Sequence, residues 1–318
     1  MKVTEHLRRA DGKTLFSVEI LPPLKGKSIQ SIYDILDPIM AFKPAFVDVT
    51  YHREEYIYKK HPNGLLEKIS MRKRPGTVGI CAAIINHYRV DTVPHIICGG
   101  FSKEETENAL IDLSFLGIDN VLLLRGDAIK SEPVFEPHPT GHRYALDLVQ
   151  QVVSMNTGKY LDEDLKDVSP SNFCIGVAGY PEKHFEAPNQ TKDISYLKAK
   201  IDAGAEYVVT QMFFDNSKYF DFVDRCRKNG IHVPIIPGIK PLTTSKQLTA
   251  LPKVFHVDLP QDLIDAVETC KSESDVREVG IEWCVNQSKE LMKAGVPCLH
   301  YYTMGNAEIT CRIAEKVF

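Results

Sequence analysis

The stretch "SKEETENALIDLSFLGIDNVLLLRGD", residues 102–127, sets the reading of the chain. Ser102 with Glu105 three residues later marks a capped helix start, and Gly117 is placed to end that helix. Next, "NVLLLR" (120–125) is an apolar run of strand length that finishes in the polar Arg125-Gly126-Asp127. A helix feeding an apolar strand with a polar carboxyl end is a repeating unit of α/β enzymes.

The alternation runs from one end to the other. Further strands are expected at "FSVEI" (16–20), "AFVDVTY" (45–51), "VPHIIC" (93–98), "FCIGVAG" (173–179), "YVVTQMF" (207–213), "VPIIPGI" (233–239) and "CLHYYT" (298–303). "SYLKAKIDAGAE" and "DNSKYFDFVDRCRKNG" read as helices that close near a glycine. Eight strand–helix units without a composition break predict an α/β chain, a single (β/α)8 TIM barrel forming one catalytic domain over 1–318. An open doubly wound sheet is the rival, weakened because no G-x-G-x-x-G follows any of these strands. Arg53–Pro75 and Ile129–Thr140 are expected to be poor in regular structure. Both follow strand carboxyl ends, where barrel enzymes carry active-site loops.

Composition narrows the function classes. The 318 residues are 43% hydrophobic and 25% charged, enough for a large core and a solvated surface. A net charge of −4 without a basic block disfavours nucleic-acid binding, and "MRKRP" (71–75) reads as a solvated loop. The eight cysteines include no C-x-x-C pair and read as reduced, mostly buried thiols of a cytosolic protein. The histidines show no ligand spacing, so no metal site is expected. The amino terminus lacks an apolar h-region and no segment reaches membrane-spanning length, so a soluble, cytoplasmic protein is expected.

In "FSVEILPP" (16–23), alternation places Phe16, Val18 and Ile20 on one side of a strand and Ser17, Glu19 and Leu21 on the other. A carboxylate on the inner side is costly unless it is paired or used. Leu21 and the two prolines are expected to give Glu19 an apolar setting that raises its pKa, while Asp127, beside Arg125, stays ionised. Thr50, His95, Tyr180, Gln211 and "HYYT" are the other polar groups at strand ends. Singly each has an ordinary structural explanation. A carboxylate pair of this kind also fits a retaining glycosidase.

Taken in order, the first-strand acid motif, "VTY" (49–51), "PHIIC", "LRGD", "YPEKH", "DAGAEYVVTQMFFD", "IIPGIKP" and "HYYT" resemble the methylenetetrahydrofolate reductase family over essentially the whole chain. The chain stops after the eighth unit, like the short bacterial members, without a regulatory domain. The resemblance implies FAD at the carboxyl face of the barrel, reduced by NADH or NADPH, which then departs. It implies that 5,10-methylenetetrahydrofolate follows and is reduced to the 5-methyl form, supplying methyl groups for methionine synthesis. By position Glu19 matches the general acid, and Asp127 an aspartate near flavin and folate. Gln211 and Tyr302 match the folate side. Thr50, His95, Arg125, Gly126, Asp127, Tyr144, Ala145, Tyr180, His184, Asp193 and Lys200 match FAD contacts. Members are usually homo-oligomers, commonly tetramers. Two departures stand out: "HREEYIYKK" replaces a glycine-rich continuation after "VTY", and Asn306 stands where relatives carry an arginine. A flavin-free barrel lyase or hydrolase, and a folate- or flavin-binding subunit of a larger redox complex, are the competing readings.

Overall fold

The structure, a computed structural model, describes residues 1–129, 132 and 134–318. Its strands are β1 (Leu15–Ile20), β2 (Phe46–Val49), β3 (Glu55–Lys60), β4 (Leu66–Met71), β5 (Asp91–Ile97), β6 (Asn120–Leu124), β7 (Cys174–Gly179), β8 (Tyr207–Thr210), β9 (Ile235–Ile236), β10 (Gly238–Ile239) and β11 (Cys298–Tyr302). The helices are α1 (Val3–Arg9), α2 (Gln30–Ile39), α3 (Thr77–Tyr88), α4 (Lys103–Phe115), α5 (Ala145–Asn156), α6 (Gln190–Asp202), α7 (Asn216–Lys228), α8 (Gln247–Phe255), α9 (Gln261–Glu268), α10 (Glu273–Lys293) and α11 (Ala307–Val317).

All strands except β3 and β4 form one parallel sheet, in the order β10-β11-β1-β2-β5-β6-β7-β8-β9. Its two ends are consecutive in the chain, with only Pro237 between them. Proline has no N–H to donate, so the ladder breaks there, but its carbonyl accepts the His300 N–H at 3.1 Å. On one side of this break Ile235 and Ile236 pair with β8, and on the other Gly238 and Ile239 pair with β11. Residues 235–239 therefore act as one strand that closes an eight-stranded barrel, as the sequence predicts.

Period-2 alternation sorts the strand side chains. Phe16, Val18, Ile20, Val47 and Val49 point outward into the layer shared with the helices. A smaller apolar cluster, with Phe46, Val93, Leu122, Tyr207 and Cys298, fills the inside of the barrel. Val3 of α1 joins it, and the Val3 N–H donates to Asn120 Oδ1 at 2.8 Å, fixing α1 as a plug on the amino-terminal end. The helices start as their sequences dictate: Ser102 and Glu105 form a reciprocal capping box on α4, and Gly117 ends that unit with φ of +70°. Asn306 caps α11 by accepting the Ile309 N–H at 3.3 Å. All eight cysteines are free thiols, six of them buried.

One expectation fails. Arg53–Pro75 is not structureless: β3 and β4 form an antiparallel hairpin around His61-Pro62-Asn63-Gly64, with Gly64 at φ of +82°. The Ile129–Thr140 stretch contains no helix or strand among its described residues; the part of that expectation falling on 130, 131 and 133 lies outside them.

Gly238 lies where the closing strand passes the carboxyl ends of β8 and β11. A Cβ there would stand 2.2 Å from the Thr210 carbonyl oxygen and 2.4 Å from Tyr302 Oη. Gly238→Ala is expected to lower stability by about 1–3 kcal/mol, the cost of overpacking a rigid site, measured as a reduced urea midpoint.

Candidate active site

Above the apolar filling, the inward positions turn polar: Ser17 and Glu19 from β1, Asp48 from β2, His95 from β5, and His300 and Tyr302 from β11. Strand register sets this row, with Glu19 opposite both Asp48 and Tyr302, and Ser17 opposite His300. The strand carrying Glu19 is clipped at its end, because Thr303 donates both its N–H and its hydroxyl to the Glu19 carbonyl, at 3.2 and 2.8 Å.

His95 stands between two carboxyl groups. Its Nε2 lies 3.6 Å from Glu19 Oε2 and 3.4 Å from Asp48 Oδ2. Asp48 is fully buried, while the Glu19 side chain retains 16% exposure toward the barrel mouth. Desolvation dominates both acids. It lifts Glu19 to about 7, His95 opposing and Asp48 reinforcing. It also lifts Asp48 to about 7, against the pull of His300. The same burial pushes His95 and His300 below the ordinary imidazole value. Near neutrality the cluster therefore favours neutral carboxylic acids beside neutral imidazoles over ion pairs. His300 shares a 2.8 Å hydrogen bond with Ser17 through Nδ1. Its Nε2, Asp48 Oδ1 and Thr50 Oγ1 are buried with no hydrogen-bond partner among the described residues.

Burial raises Glu19 as expected, and these contacts add polar neighbours to it and revise the expected pairing of Arg125. The groups facing Glu19 are His95 and Asp48, whereas the Pro22 carbonyl is taken by the Arg74 guanidinium. Arg125 does not pair with Asp127; it forks onto Glu186 with both terminal nitrogens and lies under the Phe135 ring, 4.8 Å from its centroid. Asp127 itself is exposed at the rim.

The remaining expected residues gather around the ends of β6 and β7. Gly126 turns at φ of +82°, with a would-be Cβ 3.3 Å from Ile97. Tyr144 and Ala145 open α5, the Tyr144 N–H held by Asp147 at 3.0 Å. Tyr180 packs edge-on against His184, whose N–H donates to Asp193 at 3.0 Å. Lys200 does not salt-bridge Asp193. Its ammonium donates to the Ala178 carbonyl at 3.0 Å, and desolvation brings it down to about 8. On the opposite side, the Gln211 side-chain oxygen accepts the Met212 N–H at 2.9 Å, and Tyr302 Oη donates to the Thr210 carbonyl at 2.6 Å.

A cavity of about 660 Å³ opens beside this cluster, lined by Tyr51, Arg72, His95, Ile97 and the start of α3. Of the expected cofactor residues only His95 lines it. Sequence reasoning missed Asp48, Glu186 and the individual role of His300. Asp48 carried the same signal as Glu19, an acid at an inward position of an apolar strand. Glu186 carried none, since it lies 61 residues from its partner.

Residues 2–317 match the family model described as methylenetetrahydrofolate reductase. This chain belongs to the methylenetetrahydrofolate reductase family. Methylenetetrahydrofolate reductase 1 of Schizosaccharomyces pombe is 33% identical over 321 residues, covering 100% of this chain and 48% of that protein. The 5,10-methylenetetrahydrofolate reductase of Pectobacterium carotovorum subsp. carotovorum is 30% identical over 318 residues, covering 99% of this chain and 94% of that one. The chain thus spans about half the length of the eukaryotic reductases it matches, and nearly all of the bacterial one. Among solved structures, an uncharacterized protein from Clostridium thermocellum, which binds two copies of 5-methyl-5,6,7,8-tetrahydrofolic acid, has the same fold. It superposes with a TM-score of 0.59 at 16% identity, over 99% of this chain and 98% of that one.

The buried acids make stability depend on pH. A carboxyl whose pKa rises from 3.8 to about 7 on folding contributes stability that is complete below 3.8 and lost as pH climbs to about 7. Asp48→Asn removes that loss. The variant is expected to gain on the wild type between pH 5 and pH 8, by an amount on the order of 1–4 kcal/mol, read from urea midpoints at the two pH values.

Proposed function

We propose that this chain is a flavin-dependent reductase that converts 5,10-methylenetetrahydrofolate to the 5-methyl form, with Glu19 as the proton donor. One observation carries the reading: a carboxyl group at the barrel mouth, desolvated to a pKa of about 7 and flanked by His95 and Asp48. Opening the five-membered ring of the substrate requires a proton on the departing nitrogen, from an acid that is protonated near neutral pH yet strong enough to give the proton up. Glu19 Oε fits that demand. Burial keeps Glu19 protonated, His95 opposes it, and Asp48 adds a smaller push in the same direction as burial.

Residues at the ends of β2, β6 and β7 fit FAD. Thr50 offers a buried hydroxyl without a partner among the described residues, and Lys200 a half-buried ammonium with one backbone acceptor. Gly126 lets the backbone turn at the rim, and Tyr144–Ala145 open α5. When bound, the flavin would carry hydride from NADH or NADPH to the folate carbon. His184, Asp193 and Tyr180 would hold and orient it, and Arg125 would have to leave Glu186 to contribute. Asp127, Gln211 and Tyr302 would border the folate. A cytoplasmic setting and a homo-oligomer belong to the same proposal.

Anaerobic half-reactions test the assignment. Glu19→Gln is expected to leave reduction of the bound flavin by a nicotinamide intact and to slow its reoxidation by methylenetetrahydrofolate by about 10²–10⁴-fold. Equal losses in both half-reactions would remove Glu19 from its role, and a protein that purifies without flavin would sink the reading. In the wild type, folate reduction should fall as pH rises through about 7, because the acid form of Glu19 is lost there. Glu19→Gln should lack that titration. Asp127→Asn should weaken folate binding, measured by fluorescence quenching.

A further inference from the structure

The β3–β4 hairpin stands away from the barrel with both faces largely in solvent; Ile57 is 42% and Tyr58 61% exposed. Among the described residues no strand pairs with the outer edge of β3. An isolated two-stranded hairpin is marginal in water, and an open edge without proline invites another strand. The sequence of this edge indicates which strand. Residues 54–60 read Glu-Glu-Tyr-Ile-Tyr-Lys-Lys, a segment whose charges invert about Ile57.

We propose that β3 pairs antiparallel with β3 of a second copy of this chain, on a two-fold axis through Ile57. In that register Glu54 faces Lys60, Glu55 faces Lys59 and Tyr56 faces Tyr58, each twice, and Ile57 faces itself. Every charged position meets its opposite, the arrangement that favours cross-strand pairs, whereas a register shifted by two residues sets lysine against tyrosine and isoleucine. The backbone is ready for it. The His61 N–H donates to the Leu65 carbonyl at 2.9 Å, and Lys59, Ile57 and Glu55 stand opposite Glu67, Ile69 and Met71. Alternation from that bond turns the peptide groups of Lys59, Ile57 and Glu55 toward β4 and leaves those of Tyr56, Tyr58 and Lys60 on the open edge. A two-fold through Ile57 then makes Tyr56–Tyr58 the hydrogen-bonded pairs of the new ladder. Lys59 and Lys60 make no ion pair within the described residues. Glu55 is held by Lys73 at 2.5 Å and Glu54 by the Ser70 hydroxyl, so both acids are already positioned along this strand. The product is a four-stranded sheet across an isologous dimer interface.

Sedimentation velocity on the full chain tests this. The wild type is expected to be a dimer or a larger even assembly. Glu54→Lys with Glu55→Lys, and separately Lys59→Glu with Lys60→Glu, should each weaken association by at least about tenfold, since all four pairs become like-charged. An equimolar mixture of the two double variants should recover it, because each supplies what the other lacks. A monomeric wild type, variants that associate as well as the wild type, or a mixture that fails to recombine would overturn the proposal. If a double variant does not fold, Ile57→Cys decides. Under mild oxidation it should form a disulfide-linked dimer where the wild type forms none, as Cβ atoms on the axis lie within bridging reach. Absence of that dimer would equally overturn it.

Discussion

Two acids and two imidazoles share the inside of one barrel layer, and what the site can do follows from how little water reaches them. Ionised in isolation, either acid would be expensive to bury; together they share His95, and burial favours their protonated forms. The protein thereby keeps a weak acid in readiness. The cost is carried by the barrel around the cluster. The apolar filling below, the α1 plug and the closing strand at Pro237 prevent the layer from opening to water from beneath. The reduction proposed here needs such an acid, which is why Glu19 is proposed for that role.

The fold was legible in the sequence because its strands are short apolar runs and its helices are amphipathic and capped. Each barrel strand falls where a β-rich run predicts it, and the parity of "FSVEI" correctly turns Glu19 inward. The hairpin escaped because neither of its faces is buried, so no hydrophobic period marks it. Its turn, Pro-Asn-Gly between runs rich in tyrosine, isoleucine and leucine, was the readable sign. Within the site, residues one strand apart could be aligned by parity, which makes Asp48 a recoverable omission. The Arg125–Glu186 fork could not be read, because loops from successive units meet by tertiary geometry and no local period encodes that meeting.

That fork divides the mouth of the barrel. On one side the cavity beside His95 runs outward toward the start of α3. On the other, Arg125, Glu186 and Phe135 cover the rim at the end of β6, the side on which a flavin is proposed to bind. The partner of Arg125 is a surface carboxylate, 39% exposed, and such an exchange of anions is inexpensive for a guanidinium at the rim. Under the proposed function, an anionic ligand entering on that side would compete with Glu186 for one cation.

The thiols carry a practical corollary. Burial drives Cys81, Cys98, Cys226, Cys284 and Cys298 up to about 12, far from the thiolate that reacts with electrophiles and peroxides. While the barrel stays shut they are chemically silent, and each becomes an ordinary cysteine once its strand or helix comes loose. Alkylation by a small maleimide therefore clocks the opening of this molecule, site by site, with no added label.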